Sequence, residues 1–226
     1  SEKWFDRTLD DPMPLPGSMP EMLKGDDVTA RTEWTGSLYD STYYYSPAME
    51  KYRVEGNIKF PFFLTPDKHY VGPAWYRREV TLPKDWTGQR IVLFLERPHW
   101  ESTVWVNGKK VGYAEDSKLP SEFDITSFLV PGENLLAVEV YRWCDGSYFE
   151  DQDMNRFSGI FRDVTLWAKP KGGVWDFTVR TTPLDGYEKW NLEVKVEGEG
   201  EQRMGVSLYD ADGKKVVDLH SSTSPL

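Results

Sequence analysis

Only one cysteine, Cys144, occurs in the 226 residues, so the chain cannot close an internal disulfide and must be held together by its core. Its acidic neighbours disfavour a thiolate, which makes Cys144 a structural residue rather than a nucleophile. No stretch of 18 apolar residues is present, which excludes a helical membrane span. The opening residues also lack a basic segment followed by an apolar one, the pattern of a secretory leader. A cleaved leader leaves no trace, so the compartment stays open between cytoplasm and periplasm. Positive charge is scarce: 27 Lys and Arg against 37 Asp and Glu give a formal net charge of -10, with no basic stripe. Nucleic acid is therefore not an expected partner, and the lack of an apolar span gives none in a membrane. Three scattered histidines give no zinc spacing, and His99 reads as a surface residue.

Aromatic residues, by contrast, are plentiful, at 15% of the chain with ten Trp. Most are expected in the core, and stacking on sugar faces is a second use of such rings. In the leading segment Pro12, Pro14, Pro16 and Pro20 break any helix, which predicts an extended arm lying across the domain. The aromatic run Tyr43-Tyr44-Tyr45-Ser46-Pro47 has no clean period and fits a packed continuation of that arm better than a sugar-facing strip.

From Ala74 the pattern becomes regular. Tyr76, Arg78 and Val80 alternate with Arg77, Glu79 and Thr81, as in a half-exposed strand. Ile91 to Leu95 is a short continuous apolar run, as in a strand buried on both faces. Asn107-Gly108 between Thr103-Val104-Trp105-Val106 and Lys109-Lys110-Val111 predicts a hairpin, because both turn positions accept positive φ. Leu136, Val138 and Val140 share one face. Short strands, frequent turns and no long amphipathic helix mean an all-β, antiparallel sandwich. Lys169-Pro170-Lys171-Gly172-Gly173 is a polar break and the natural domain boundary, after which Trp175, Phe177 and Val179, then Leu192, Val194 and Val196, alternate with polar residues.

The connection from Arg142 to Asp163 is too long to be a simple turn. It crowds Asp145, Glu150, Asp151 and Asp153 among Arg142, Arg156 and Arg162, with Gly146 and Gly159 expected to reverse the backbone sharply. Its composition permits a salt-bridged edge, a hard cation or a polar ligand, and its spacing is not that of a helical calcium loop. Glu150 with Asp151 or Asp153 invites reading as a catalytic carboxyl pair.

Its literal sequence narrows the choice. Asp145-Gly146-Ser147-Tyr148-Phe149-Glu150-Asp151-Gln152-Asp153-Met154, then Ser158-Gly159-Ile160-Phe161-Arg162-Asp163, resembles the β-galactosidase branch of glycoside hydrolase family 2. Trp105-Val106-Asn107-Gly108, Asp116-Ser117-Lys118-Leu119-Pro120-Ser121-Glu122-Phe123-Asp124 and Pro131-Gly132-Glu133-Asn134 extend the likeness. The resemblance implies a jelly-roll (galactose-binding-like) β-sandwich over residues 1–171, with the extended arm, and part of an immunoglobulin-like β-sandwich over 172–226. It implies the accessory, sugar-binding-type region of an enzyme that hydrolyses β-galactosides with retention. Both catalytic glutamates would lie in a downstream (β/α)8 barrel, so this chain would hold no catalytic residue and would be inactive alone. Its implied partners are a carbohydrate, that barrel and a further copy in a homo-oligomer.

By the same resemblance Asp153 contacts the galactosyl hydroxyls and helps hold a sodium ion, while magnesium belongs to the catalytic domain. Two departures bear on specificity. Asn155 stands where relatives often carry Trp, so stacking from that position is absent. An asparagine that relatives offer to the sugar has no counterpart before Ala74, where Asp67, Lys68 and His69 stand instead. Asp67 and His69 are the candidate substitutes, against the plainer expectation of a solvated loop. The acidic stretch favours galactose over glucuronate, whose carboxylate it would repel. An autonomous carbohydrate-binding module or lectin is the alternative that the fold and aromatic content also suit.

Overall fold

The computed structural model describes residues 3–7, 9–29, 31–32, 42–58, 68–116, 118–149, 158–170, 172–198 and 202–223. In chain order the strands are β1 (Asp26–Asp27), β2 (Lys68–His69), β3 (Pro73–Thr81), β4 (Arg90–Leu95), β5 (Pro98–His99), β6 (Glu101–Val106), β7 (Lys109–Glu115) and β8 (Ser121–Asp124). They continue with β9 (Glu133–Tyr141), β10 (Gly159–Ile160), β11 (Val164–Lys169), β12 (Val174–Leu184), β13 (Lys189–Gly198), β14 (Gln202–Tyr209) and β15 (Lys215–Thr223). Two short helices, α1 (Thr42–Tyr45) and α2 (Asp145–Phe149), complete the regular structure apart from a few 3-10 turns. The chain divides into two compact units: Ser1–Pro83 with Val92–Trp167, and Lys84–Ile91 with Ala168–Leu226.

The first unit is a β-sandwich. One sheet runs β3-β9-β6-β7 and the other β11-β4-β8. Alternation sorts their side chains: Leu136, Val138 and Val140 on β9 are buried beside Val104 and Val106 on β6. Ile91, Val92, Leu93 and Leu95 on β4 are all buried, as a continuous apolar run should be. Burying each such side chain is worth about 2 kcal/mol, which lets a chain without disulfides hold together. The sheets meet at Gly112 of β7, where an added Cβ would stand 3.0 Å from the Phe123 ring of β8. A side chain at 112 would need the Phe123 ring to give way by a few tenths of an ångström.

The Asn107-Gly108 hairpin is as expected, with φ of 50° and 75° at its two turn residues. Its side chain does more than turn the chain. Asn107 Nδ2 donates to Phe128 O and to Asn134 Oδ1, both at 2.9 Å, while Asn107 Oδ1 accepts from Leu135 N at 2.9 Å. Asn134, 1% exposed, accepts from Val130 N at 2.8 Å and donates to Val130 O at 2.9 Å. Two asparagines thus tie the β6–β7 turn to the connection that leads into β9. Asp116 and Asp124 make similar local turns, accepting from the backbone of Lys118 and Leu119 and of Thr126.

The leading segment is an arm across this sandwich. Phe5 stacks on Trp105 at 5.5 Å and 3°, and lies 6.2 Å from Trp75. The next aromatic run is packed too: Tyr43 is buried and donates to Tyr52 O at 2.9 Å, and Tyr44 donates to Thr32 O.

In the second unit β12 pairs with β13 and β14 with β15, each as an antiparallel hairpin. Phe177 and Val179 face Val196 and Val194 across the first, and Arg180 faces Glu193 on its other side. Gly186 (φ 65°) and Gly213 (φ 77°) serve the two turns. Arg90 lies over the Trp175 ring at 4.2 Å.

Two predictions follow from these contacts. Asn134→Ala removes the acceptor of the Val130 amide and of Asn107 Nδ2 in part-buried bonds, so it should lower unfolding stability by roughly 1–2 kcal/mol in urea titration. Glu101 sits directly opposite Glu115 in the β6–β7 ladder. Burial, then Glu115 and Glu139, hold its carboxyl above the ordinary value of 4.5. A carboxyl raised in the fold contributes stability that is complete below that value and lost as pH rises through the raised one. Glu101→Gln should therefore stabilise by about 0.5 kcal/mol near neutral pH, with the gain disappearing below about pH 4.5.

Candidate functional site

The acidic stretch begins where β9 ends. Arg142 Nη1 donates to Tyr70 O at 2.5 Å, tying this end to the segment between β2 and β3. Ser147, fully buried, accepts from Cys144 N at 3.1 Å through its hydroxyl. This bond starts the single helical turn α2, so the connection has structure of its own. Gly146 belongs to that helix instead of making a sharp reversal, whereas Gly159 has φ of 97° as a reversal requires. Burial first, and Glu115 beside it, push the Cys144 thiol up, consistent with a structural cysteine. Phe149, at the far end of α2, is 90% exposed.

The stretch returns to the sandwich at β10. Gly159 pairs with His99 and Ile160 with Pro98 across the β5–β10 ladder. On the other side of β10, Ser158 O accepts from Met19 N and Ile160 O from Gly17 N, both at 3.0 Å. Gly159 has no room for a side chain: a Cβ there would stand 2.2 Å from the Tyr76 hydroxyl.

His69 is not on a solvated loop. It lies in β2 opposite Asp26 of β1, is 8% exposed, and has its pKa lowered by burial and then by Arg142. The neighbouring Lys68 makes a 2.6 Å ion pair with Asp27, which sits in a strand for the same reason. Arg142 therefore brings His69 and the start of the acidic stretch together through Tyr70.

His99 corrects the reading from sequence. It is 1% exposed, not a surface residue, because its strand is closed over by β10 and its ring lies 4.4 Å from Trp100 and 5.5 Å from Phe161. Neither ring nitrogen has a hydrogen-bond partner among the described residues, and the same holds for Trp100 Nε1, Ser102 Oγ and Ser158 Oγ. Buried polar atoms are rarely left this way, and five such atoms without a partner among the described residues fall in β5, β6 and the residues beside them and β10. Burial, then Arg142 and Arg97, pull the His99 pKa down to about 4, so the ring is neutral and offers one donor and one acceptor. The signal in the sequence was a histidine between Pro98 and Trp100 at a strand edge, and only the long-range pairing with Gly159 gives it meaning.

Asp153 and Asp67 lie outside the described residues, as do Glu150, Asp151 and Asn155. Among the described residues no three His, Cys, Asp or Glu side chains are grouped to hold a metal ion. No described helix is long and apolar enough to cross a membrane.

Comparison with known proteins bears on the fold and the family. The sequence profile described as "Glycosyl hydrolases family 2, sugar binding domain" matches residues 21–170. A β-galactosidase of Priestia megaterium (strain DSM 319 / IMG 1521) is 36% identical over 211 residues, which are 89% of this chain and 20% of that protein. The chain thus spans about a fifth of the length of that relative. Among solved structures, a β-glucuronidase from an uncultured Clostridium sp. superposes with a TM-score of 0.61 at 26% identity, covering 98% of this chain and 35% of that one. One from Bacteroides uniformis gives 0.59 at 29% identity, over 68% and 20%. One from Ruminococcus gnavus, in complex with uronic isofagomine, gives 0.57 at 26%, over 71% and 30%. The acidic stretch, the paired strands that carry it and the Asn-Gly hairpin all lie inside the matched region, and the chain belongs to glycosyl hydrolase family 2, whose sugar-binding domain it carries.

Proposed function

We propose that this chain is the accessory region of a retaining β-galactosidase and lines one side of its sugar site. The observation that carries this is the base of the acidic stretch, where neutral, buried His99 and Ser158 hold polar atoms that have no partner among the described residues, beside β10. A sugar hydroxyl both donates and accepts, and so matches an imidazole that does the same. Asp153, a few residues before Ser158, adds a carboxylate to the galactosyl hydroxyls and balances the charge of a sodium ion; Asp67 and His69 are the candidate sugar contacts from the segment before Ala74. These groups orient the substrate and do not react with it. Cleavage with retention needs two carboxyl groups about 5 Å apart across the glycosidic bond, which we assign to a separate barrel of the full-length enzyme, together with its magnesium.

Galactoside over glucuronide is supported by the greater identity to a β-galactosidase and by the acidic stretch, which opposes a uronate carboxylate. In the second unit, the alternating hairpins β12–β13 and β14–β15 support the opening half of an immunoglobulin-like sandwich, with the domain boundary near residue 171.

The expected outcomes are specific. The 226-residue chain should not hydrolyse a chromogenic β-galactoside, and calorimetric titration should show weak or no galactose binding; tight binding would favour a lectin. In the full-length enzyme Asp153→Ala should lower kcat/KM by roughly 10- to 100-fold, and His99→Ala by about 10-fold, on a galactoside. Unchanged kinetics for both variants would remove the sugar site from this region. His99 also sets a pH dependence. Its folded pKa, about 4, is below the ordinary 6.5, so its contribution to stability is complete above the ordinary value and lost as pH falls toward 4. Urea midpoints of the chain and of His99→Gln should diverge over that window.

A further inference from the structure

We propose that the arm from Gly17 to Asp27 is a positioning element for sugar binding, setting the acidic stretch and the His69 segment in register with each other through Met19, Tyr76 and Gly25. The inference rests on the sugar-site reading above.

The arm touches both segments. At one end, Gly17 N and Met19 N donate to the carbonyls of Ile160 and Ser158, in antiparallel order, so the arm runs along the edge of β10 away from β5. At the other end, Asp26 and Asp27 pair with His69 and Lys68. Between these ends the chain makes a closed turn. Ser18 and Glu21 each donate their backbone N–H to the other's side chain, at 3.3 and 3.4 Å, Leu23 N donates to Pro20 O at 3.0 Å, and Lys24 N donates to Met19 O at 2.9 Å. Lys24 also pairs with Asp11. The two contact points are therefore held at one separation.

Each contact has a single register. Tyr76 of β3 donates to Met19 Sδ at 3.2 Å, and its hydroxyl fills the space above Gly159. Met19 Cγ lies 3.4 Å from the position a Cβ at 159 would take. At the second contact a Cβ on Gly25 would stand 2.6 Å from His69 O. Both glycines have positive φ, of 97° and 117°, which other residues rarely adopt. A slip by one residue would place a side chain into Tyr76 or into the His69 carbonyl. The third tie, from Arg142 to Tyr70, closes the circuit between the start of the acidic stretch and the segment the arm holds.

A merely structural arm would alter stability and leave substrate affinity alone. In the full-length glycosidase, with a chromogenic β-galactoside, Met19→Ala should raise KM about 5-fold or more with kcat within about 2-fold. Tyr76→Phe, which removes the hydroxyl and keeps the ring, should raise KM in the same direction. Met19→Leu, which keeps the packing over Gly159, should return KM to within about 2-fold of wild type. If Met19→Ala and Tyr76→Phe both leave KM unchanged while Asp153→Ala weakens the enzyme, the positioning role is wrong and the sugar site stands. Should Asp153→Ala and His99→Ala also be normal, the sugar-site reading fails and the inference with it. Where Met19→Ala does not fold, Tyr76→Phe decides.

Discussion

Buried backbone carbonyls must find donors, and the segment from Ser158 to Ile160, which carries β10, is where this requirement organises the first unit. Ile160 and Ser158 are 1% exposed, so their peptide groups cannot turn to bulk solvent. The ladder with β5 satisfies one side, and Gly17 and Met19 satisfy the other. The arm is thus an internal component of the structure in the way a strand is, although its four prolines prevent a long regular strand. Everything around the proposed site hangs from this point: the return of the acidic stretch, the burial of His99, and the Tyr76 contact that requires glycine at 159.

Much of the family signature turns out to be structural. Asn107 and Asn134 hydrogen-bond each other and the neighbouring backbone, Gly112 admits the Phe123 ring, and Asp116 and Asp124 cap local turns. A motif match over these positions therefore reports a sandwich that can be built, and says nothing directly about a sugar. The residues that bear on ligand chemistry are fewer and cluster where two segments distant in sequence are brought together.

That division explains what could be read from residue order. The Asn-Gly hairpin, the buried run of β4 and the alternating strands of the second unit depend on neighbours in sequence, so local pattern reveals them. The proline-rich arm was legible as an arm, but its partner was not, because nothing in Gly17 or Met19 points to residues 158 and 160. α2 escaped notice because five residues are too few for a helical period. His99 was misplaced for the same reason as the arm's partner: a histidine between Pro98 and Trp100 carries no burial signal until Gly159 closes over its strand. His69 likewise needed the β1–β2 pairing before its environment could be known.

The charge state of His99 links these packing facts to recognition. Burial and two guanidinium groups oppose a positive charge on the ring, so the imidazole stays neutral across the physiological range. A protonated ring could only donate. A neutral ring keeps an acceptor beside its donor. For the galactosyl unit proposed above, whose hydroxyls each donate and accept, the site needs a group of mixed character held beside the acidic stretch. Arg142 supplies both halves of the condition: it suppresses protonation of His99, and through Tyr70 it fixes the start of the stretch that carries the acids.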